Sequence, residues 1–205
     1  MSITAVKRFT VSLAVVAVAA CASNQAYESS GGTVDLANYP VRSLSASELQ
    51  NLRGMSDATI LGHIATVDSM EVVTADSLLR ISKTSDVVEY ANMMHVAHAT
   101  HFQRTRAIGK ETGVTPTGVY GGIRASHIAA ALDSVRFASD LTVDHHYISS
   151  QIMLHEHVLA ELEQLQSVAQ NQAIRDHIAS TIPAVRDHLV RAHAIAISKG
   201  YEKKR

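Results

Sequence analysis

Residues 57–83 read DATILGHIATVDSMEVVTADSLLRISK. Apolar positions recur three or four apart, at Ile60, Ile64, Val67, Leu78 and Ile81, with Thr74 in the same row. That period belongs to an amphipathic helix and not to a strand. Ser56 stands where a cap accepts the first free amides, so the spacing predicts helix A over residues 57–83. One residue breaks the apolar row near its centre, Glu71.

The same period returns three more times. Helix B is expected over 86–112, capped by Ser85, with Val87, Ala91, Met94, Phe102 and Ile108 inside. Helix C is expected over 142–170 with Ile148, Ile152, Leu159, Leu162 and Leu165 inside, and helix D over 172–199 with Ile174, Ile178, Val185, Leu189, Ala192 and Ala196 inside. Pro183 lies within helix D and is expected to kink or split it. Ser45-Ala46-Ser47-Glu48 matches a capping box, so a short helix should run from Ala46 to Arg53 and stop at Gly54.

Helices of about 27 residues are about 40 Å long and can hide such stripes only against one another. The short A–B and C–D joints make two antiparallel hairpins. The B–C connection is long: residues 114–122, with Pro116 and three glycines, read as a loop, and residues 123–137 as a shorter helix that crosses back. The expected fold is all-α, a ferritin-like antiparallel four-helix bundle with one long crossover. A cytokine-like bundle would need two crossovers.

Ahead of this domain, Lys7 and Arg8 precede a short apolar run from Phe9 to Ala20, the pattern of an export signal. The run is too short to span a bilayer. Val18-Ala19-Ala20-Cys21 resembles the lipobox of bacterial lipoproteins, in which the cysteine is acylated and becomes the first residue of the mature chain. The resemblance implies a membrane partner through a lipid on Cys21, and Ala22-Ser23 favours the periplasmic face of the outer membrane. Plain secretion into the periplasm is the alternative. Residues 21–54 then supply a polar tether and the short helix, residues 55–200 the bundle, and residues 201–205 a basic tail. Removing residues 1–20 leaves 185 residues with 16 bases against 19 acids.

Charge and composition exclude some functions. The whole chain carries 18 Lys+Arg against 19 Asp+Glu, with no Trp and 4% aromatic residues. Nucleic-acid binding needs a basic face or a stacking platform, and neither is present. Cys21 is the single cysteine, which excludes an intrachain disulfide and a thiolate-rich metal site.

Twelve histidines are many for this length. His63, His127, His145, His146, His157 and His193 fall at or near expected outer faces. His95, His98 and His101 share a broad face of helix B. A different set stands out as the polar interruptions of the four stripes: Glu71, His98, His155 and His188. The helix midpoints lie near residues 70, 99, 156 and 186, so each interruption is within about three positions, or roughly 4–5 Å, of its midpoint. In an antiparallel bundle the midpoints share one level. Four polar groups therefore converge on one buried layer, as a hydrogen-bonded network or as ligands to one divalent transition-metal ion such as Zn²⁺, Fe²⁺, Mn²⁺ or Cu²⁺. Asp68, one turn before Glu71, and Tyr147 are the nearby groups that could support chemistry there, with Asp144 as a further supporting residue.

Further residues mark a family. Met55-Ser56-Asp57, Glu71, the run Tyr90-Ala91-Asn92-Met93-Met94 leading to His98, then Asp144, Tyr147, His155, Pro183 and His188-Leu189 together resemble an uncharacterised bacterial family of outer-membrane or periplasmic ferritin-like proteins, a domain of unknown function. The resemblance spans about Met55 to Gly200. It implies the fold and the compartment and no activity. Where that family usually has Asp-His in helix B, this chain has Ala97-His98. No helix carries Glu-x-x-His at its centre, which argues against a di-iron site. On sequence the chain reads as a non-catalytic envelope protein, stress-related or partner-binding, with a mononuclear metal-binding protein as the alternative.

Overall fold

The computed structural model describes residues 42–118 and 143–202. Five helices form among them and no strand: α1 (Ala46–Arg53), α2 (Asp57–Leu79), α3 (Ser85–Thr112), α4 (Val143–Val168) and α5 (Gln172–Lys199). The chain is an all-α helical bundle. The signal and lipobox, the tether before residue 42, the crossover helix expected over 123–137, His127 and residues 203–205 of the basic tail lie outside the described residues.

Local signals set most helix ends. The Ser45–Glu48 capping box forms in both directions, with the Glu48 amide donating to the Ser45 hydroxyl and the Ser45 amide to the Glu48 carboxylate. The Ser56 hydroxyl accepts from the Thr59 amide. Gly113 and Gly200 end α3 and α5 with φ of 71° and 72°, a left-handed conformation that costs glycine nothing.

Four expectations need correction. Helix α2 stops at Leu79, four residues short of Lys83, because the Ile81 and Ser82 amides both turn back to the Leu78 carbonyl. Ile81 is thus a half-buried turn residue. At the start of α3 the cap position belongs to Thr84 and not Ser85, and no side chain caps it. The Thr84 hydroxyl is drawn to the Asp144 carboxylate instead. Phe102 is half-buried beneath the Arg106 guanidinium, while Thr105 takes the interior position. Pro183 does not split α5, which runs unbroken through it.

Paired side chains define the direction of each helix. Asp76–His95 and Asp68–His98 join α2 to α3, Glu163–Arg186 and Glu156–His193 join α4 to α5, and Thr105–His177 and Asp86–Lys199 join α3 to α5. In every pair the numbering climbs on one helix and falls on the other, so these neighbours run antiparallel. Gln151–Glu71 and His63–Glu161 show the same for α4 and α2. The residues after α3 fold back over α2, and the Thr117 amide donates to the Ala58 carbonyl. Gly62 permits this crossing, since a Cβ there would stand 2.2 Å from the Thr117 oxygen.

The apolar interior is divided in two. One cluster gathers Leu52, Ile60, Leu61, Ile108, Leu159, Leu165, Ile174 and Ile178 around one end of the bundle. The other gathers Leu78, Val87, Met94, Val143, Ile148, Ala192 and Ile195 around the opposite end. Ile152 is half-buried and touches both. Where they meet, α2, α3 and α4 pass through a short polar stretch, and His188 of α5 stands beside it between Val185 and Leu189 of the first cluster.

Candidate metal centre

The polar stretch brings His98 from α3, His155 from α4 and His188 from α5 together. All three are buried, and one ring nitrogen from each lies within 4.8 Å of one from each of the others. The ring centres form a nearly equilateral triangle with sides of 5.4, 5.5 and 5.8 Å. The rings are inclined to one another by 54–73°. A metal–nitrogen bond of about 2.0–2.1 Å, with the ring centre about 1.1 Å behind the nitrogen, would put three such centres about 5.2–5.5 Å apart. The triangle already has nearly that size.

Neighbouring groups orient two of the rings. His98 Nδ1 donates to Asp68 Oδ1 at 2.9 Å, and His155 Nδ1 donates to the Gln151 carbonyl at 2.9 Å. In the neutral form of either ring, this bond leaves Nε2 as the basic nitrogen. Metal-bound histidines are held by this kind of outer contact. His98 Nε2 and His188 Nδ1 are buried and have no hydrogen-bond partner among the described residues.

Electrostatics separate the rings. Burial opposes a charge on His98, but the Asp68 bond and the nearby Glu71 carboxylate outweigh it and raise its pKa above the ordinary imidazole value. Burial and the neighbouring His155 and His98 push His188 well below that value. His188 is therefore a neutral ring at neutral pH, the form that can coordinate an ion. Burial acts to raise Asp68, yet its bonds from His101 and His98 hold it below the usual carboxylate value.

Glu71 is buried as expected but sits beside the triangle and not within it. It accepts from Gln151 Nε2 at 2.8 Å. Asp68 is the α2 residue that touches a triad ring. Gln151 was missed by the sequence reading; its position one turn before His155, on the inner face, was the available signal. Tyr147 is buried, with its ring 6.2 Å from Tyr90 and its hydroxyl without a partner among the described residues. Asp144 takes no part: it lies eleven positions before His155, about 16 Å along the helix, and binds Thr84. Of the three histidines sharing a face of α3, only His98 joins the triad. His95 pairs with Asp76, and His101 gives Nδ1 to both Asp68 oxygens at 2.9 and 3.0 Å.

His145 and His146 are exposed as expected. The surface assignment fails for His63, His157 and His193, each 3% exposed. Helix α1 packs on α4 and covers His157, which stands 3.4 Å from Glu161 and 3.8 Å from Glu48. His63 reaches the other Glu161 oxygen at 3.4 Å. Arg42 donates to His157 Nδ1, which leaves Nε2–H facing the carboxylates. This group is a structural clamp. His193 is covered by the chain after α5, where Glu202 accepts from its Nδ1 at 2.5 Å.

His177 gives a pH prediction. Burial, then the neighbouring His101 and Arg104, lower its pKa to about 4 against the opposing charge of Asp68. Between about pH 6.5 and 4 the unfolded chain binds a proton there that the folded chain refuses, so stability falls as pH falls through that window. The urea midpoint should drop more between pH 7 and pH 4.5 for the wild type than for His177→Asn. Equal drops would show that His177 titrates normally in the fold.

Neither a curated protein nor a solved structure matches this chain. Among the described residues no helix is long and apolar enough to cross a membrane. The profile of one family, described as a domain of unknown function (DUF4142), matches residues 42–195. That stretch takes in α1 to α3 and all of the candidate centre, so the chain belongs to the DUF4142 family.

Proposed function

We propose that the bundle binds one divalent transition-metal ion between His98, His155 and His188, with Asp68 orienting the first ring. The observation that carries this reading is the orphaned pair His98 Nε2 and His188 Nδ1, buried in a triangle of metal-binding size. A purely hydrogen-bonded core would pair such atoms, because a buried polar group without a partner costs about 1–3 kcal/mol. Three imidazoles suit zinc, copper, iron and nickel. Glu71 and Asp68 supply two nearby negative charges to balance the ion. The test is metal analysis of protein purified without an affinity tag. One equivalent per chain is expected, falling below about a tenth in His98→Ala. Metal-free wild type that takes up no added zinc or cobalt would leave the triad as a water-filled polar core.

The antiparallel pairings support a ferritin-like connectivity, with the α3–α4 connection as the crossover. Cys21 and the segment before it support an acylated envelope protein, in which the centre would sequester or pass on metal outside the cytoplasm. Globomycin, which blocks the lipoprotein signal peptidase, should accumulate a precursor longer by residues 1–20. Unchanged processing under globomycin would favour simple secretion.

A further inference from the structure

The triad is buried, and an ion must reach it. A narrow cleft opens beside it, walled by Val67, Leu162 and Val185 and lined at one side by Asp68, His98 and His101. His101 is the most exposed residue on this side. The side chains of Asp68, His98 and His101 are 3%, 8% and 22% exposed. The Asp68 carboxylate is shared: one oxygen accepts from both rings, and the other from His101 alone. It therefore touches a triad ligand inward and a solvent-reaching imidazole outward. His101 is also anchored on α5, its Nε2 lying 2.7 Å from the Thr181 hydroxyl and its ring stacked 4.7 Å from His177.

We infer that Asp68 and His101 form a transit site through which a divalent cation enters and leaves the triad. This rests on the triad being the ion's resting place. The reasoning is chemical. An aquated cation entering the cleft must exchange water for protein ligands. The cleft holds two carboxylate–imidazole pairs, and Asp68 with the 22% exposed His101 lies nearer solvent than the buried Glu161 with His63. His98 hangs on the same carboxylate, so the ion passes from one ligand set to the next without standing unliganded among Val67, Leu162 and Val185. A residue on the path lowers the barrier for entry and exit alike and leaves the end state unchanged.

The test follows cobalt(II) uptake into the chelator-stripped full chain by stopped-flow absorbance, with affinity measured separately by chelator competition. His101→Leu should slow both uptake and release about tenfold or more and change the Kd less than about threefold. If His101→Leu fails to fold, as judged by circular dichroism, His101→Gln gives the same comparison with a polar side chain that lacks the second ring nitrogen. A variant that loads at the wild-type rate overturns the transit site and leaves the triad reading intact. A variant with unchanged uptake and faster release also overturns it, because His101 would then be holding the bound state. Wild type that takes up no cobalt overturns the triad reading, and the transit site falls with it.

Discussion

Stripping the wild-type protein with a strong chelator should lower its melting temperature by about 8–16 °C, and His155→Ala should abolish that response. The size follows from linkage. Free ion at about a thousand times its Kd stabilises the folded state by about 4 kcal/mol. For a domain of this size each kcal/mol is worth about 2–4 °C. His155 supplies the ring that Gln151 orients toward the other two, so its loss leaves two ligands and should weaken binding about a thousandfold or more. The mutant should melt below the metal-loaded wild type and at the same temperature with or without chelator. If chelator leaves the wild-type melting curve unchanged while metal analysis finds no ion, the polar stretch is held by hydrogen bonds and water alone.

Asp68→Ala should cost about 3–5 kcal/mol in urea unfolding, the usual penalty for removing one partner from a buried charged group. Asp68 is 2% exposed and accepts from two imidazoles on α3. Removing it strands both Nδ1–H groups in the interior and also loosens His98 as a ligand. Asp187→Ala is the control. Its pair with Arg191 is partly exposed and local to α5, and its loss should cost under about 0.5 kcal/mol. Equal urea midpoints for the two variants would mean that Asp68 is hydrated in the folded protein and that its two hydrogen bonds contribute little.

The α1 clamp shows how a local reading can go astray. Ser45 to Glu48 was legible as a capping box because capping is decided within four residues. That the resulting helix would lie on α4 and bury His157 was not legible. Nothing in the stretch around His157 reports that Glu48, more than a hundred positions earlier, closes over it. Glu161 sits one turn from His157 on the same helix, a spacing that suggests an ordinary surface pair. Only the approach of His63 from α2 makes it a buried hub.

The sequence by itself determined the helices, their inner stripes and the level at which those stripes turn polar. Period, caps and terminal glycines act over one or two turns, so α5 was read to the residue and the buried rows of α2 and α4 nearly so. It also picked out His98, His155 and His188, because one polar residue in an apolar row is conspicuous at any rotation of the helix. What it could not decide is which polar neighbours meet. Asp68 and Glu71 are three residues apart and lie on nearby parts of one face, and both are buried. The rotation and axial offset of α2 against α3 and α4 put Asp68 against His98 and Glu71 against Gln151. That rotation comes from how Ile60, Leu61 and Ile64 at one end, and Ala75 and Leu78 at the other, fill the two apolar clusters. Packing over the whole length of the bundle therefore chose the residue that touches the triad.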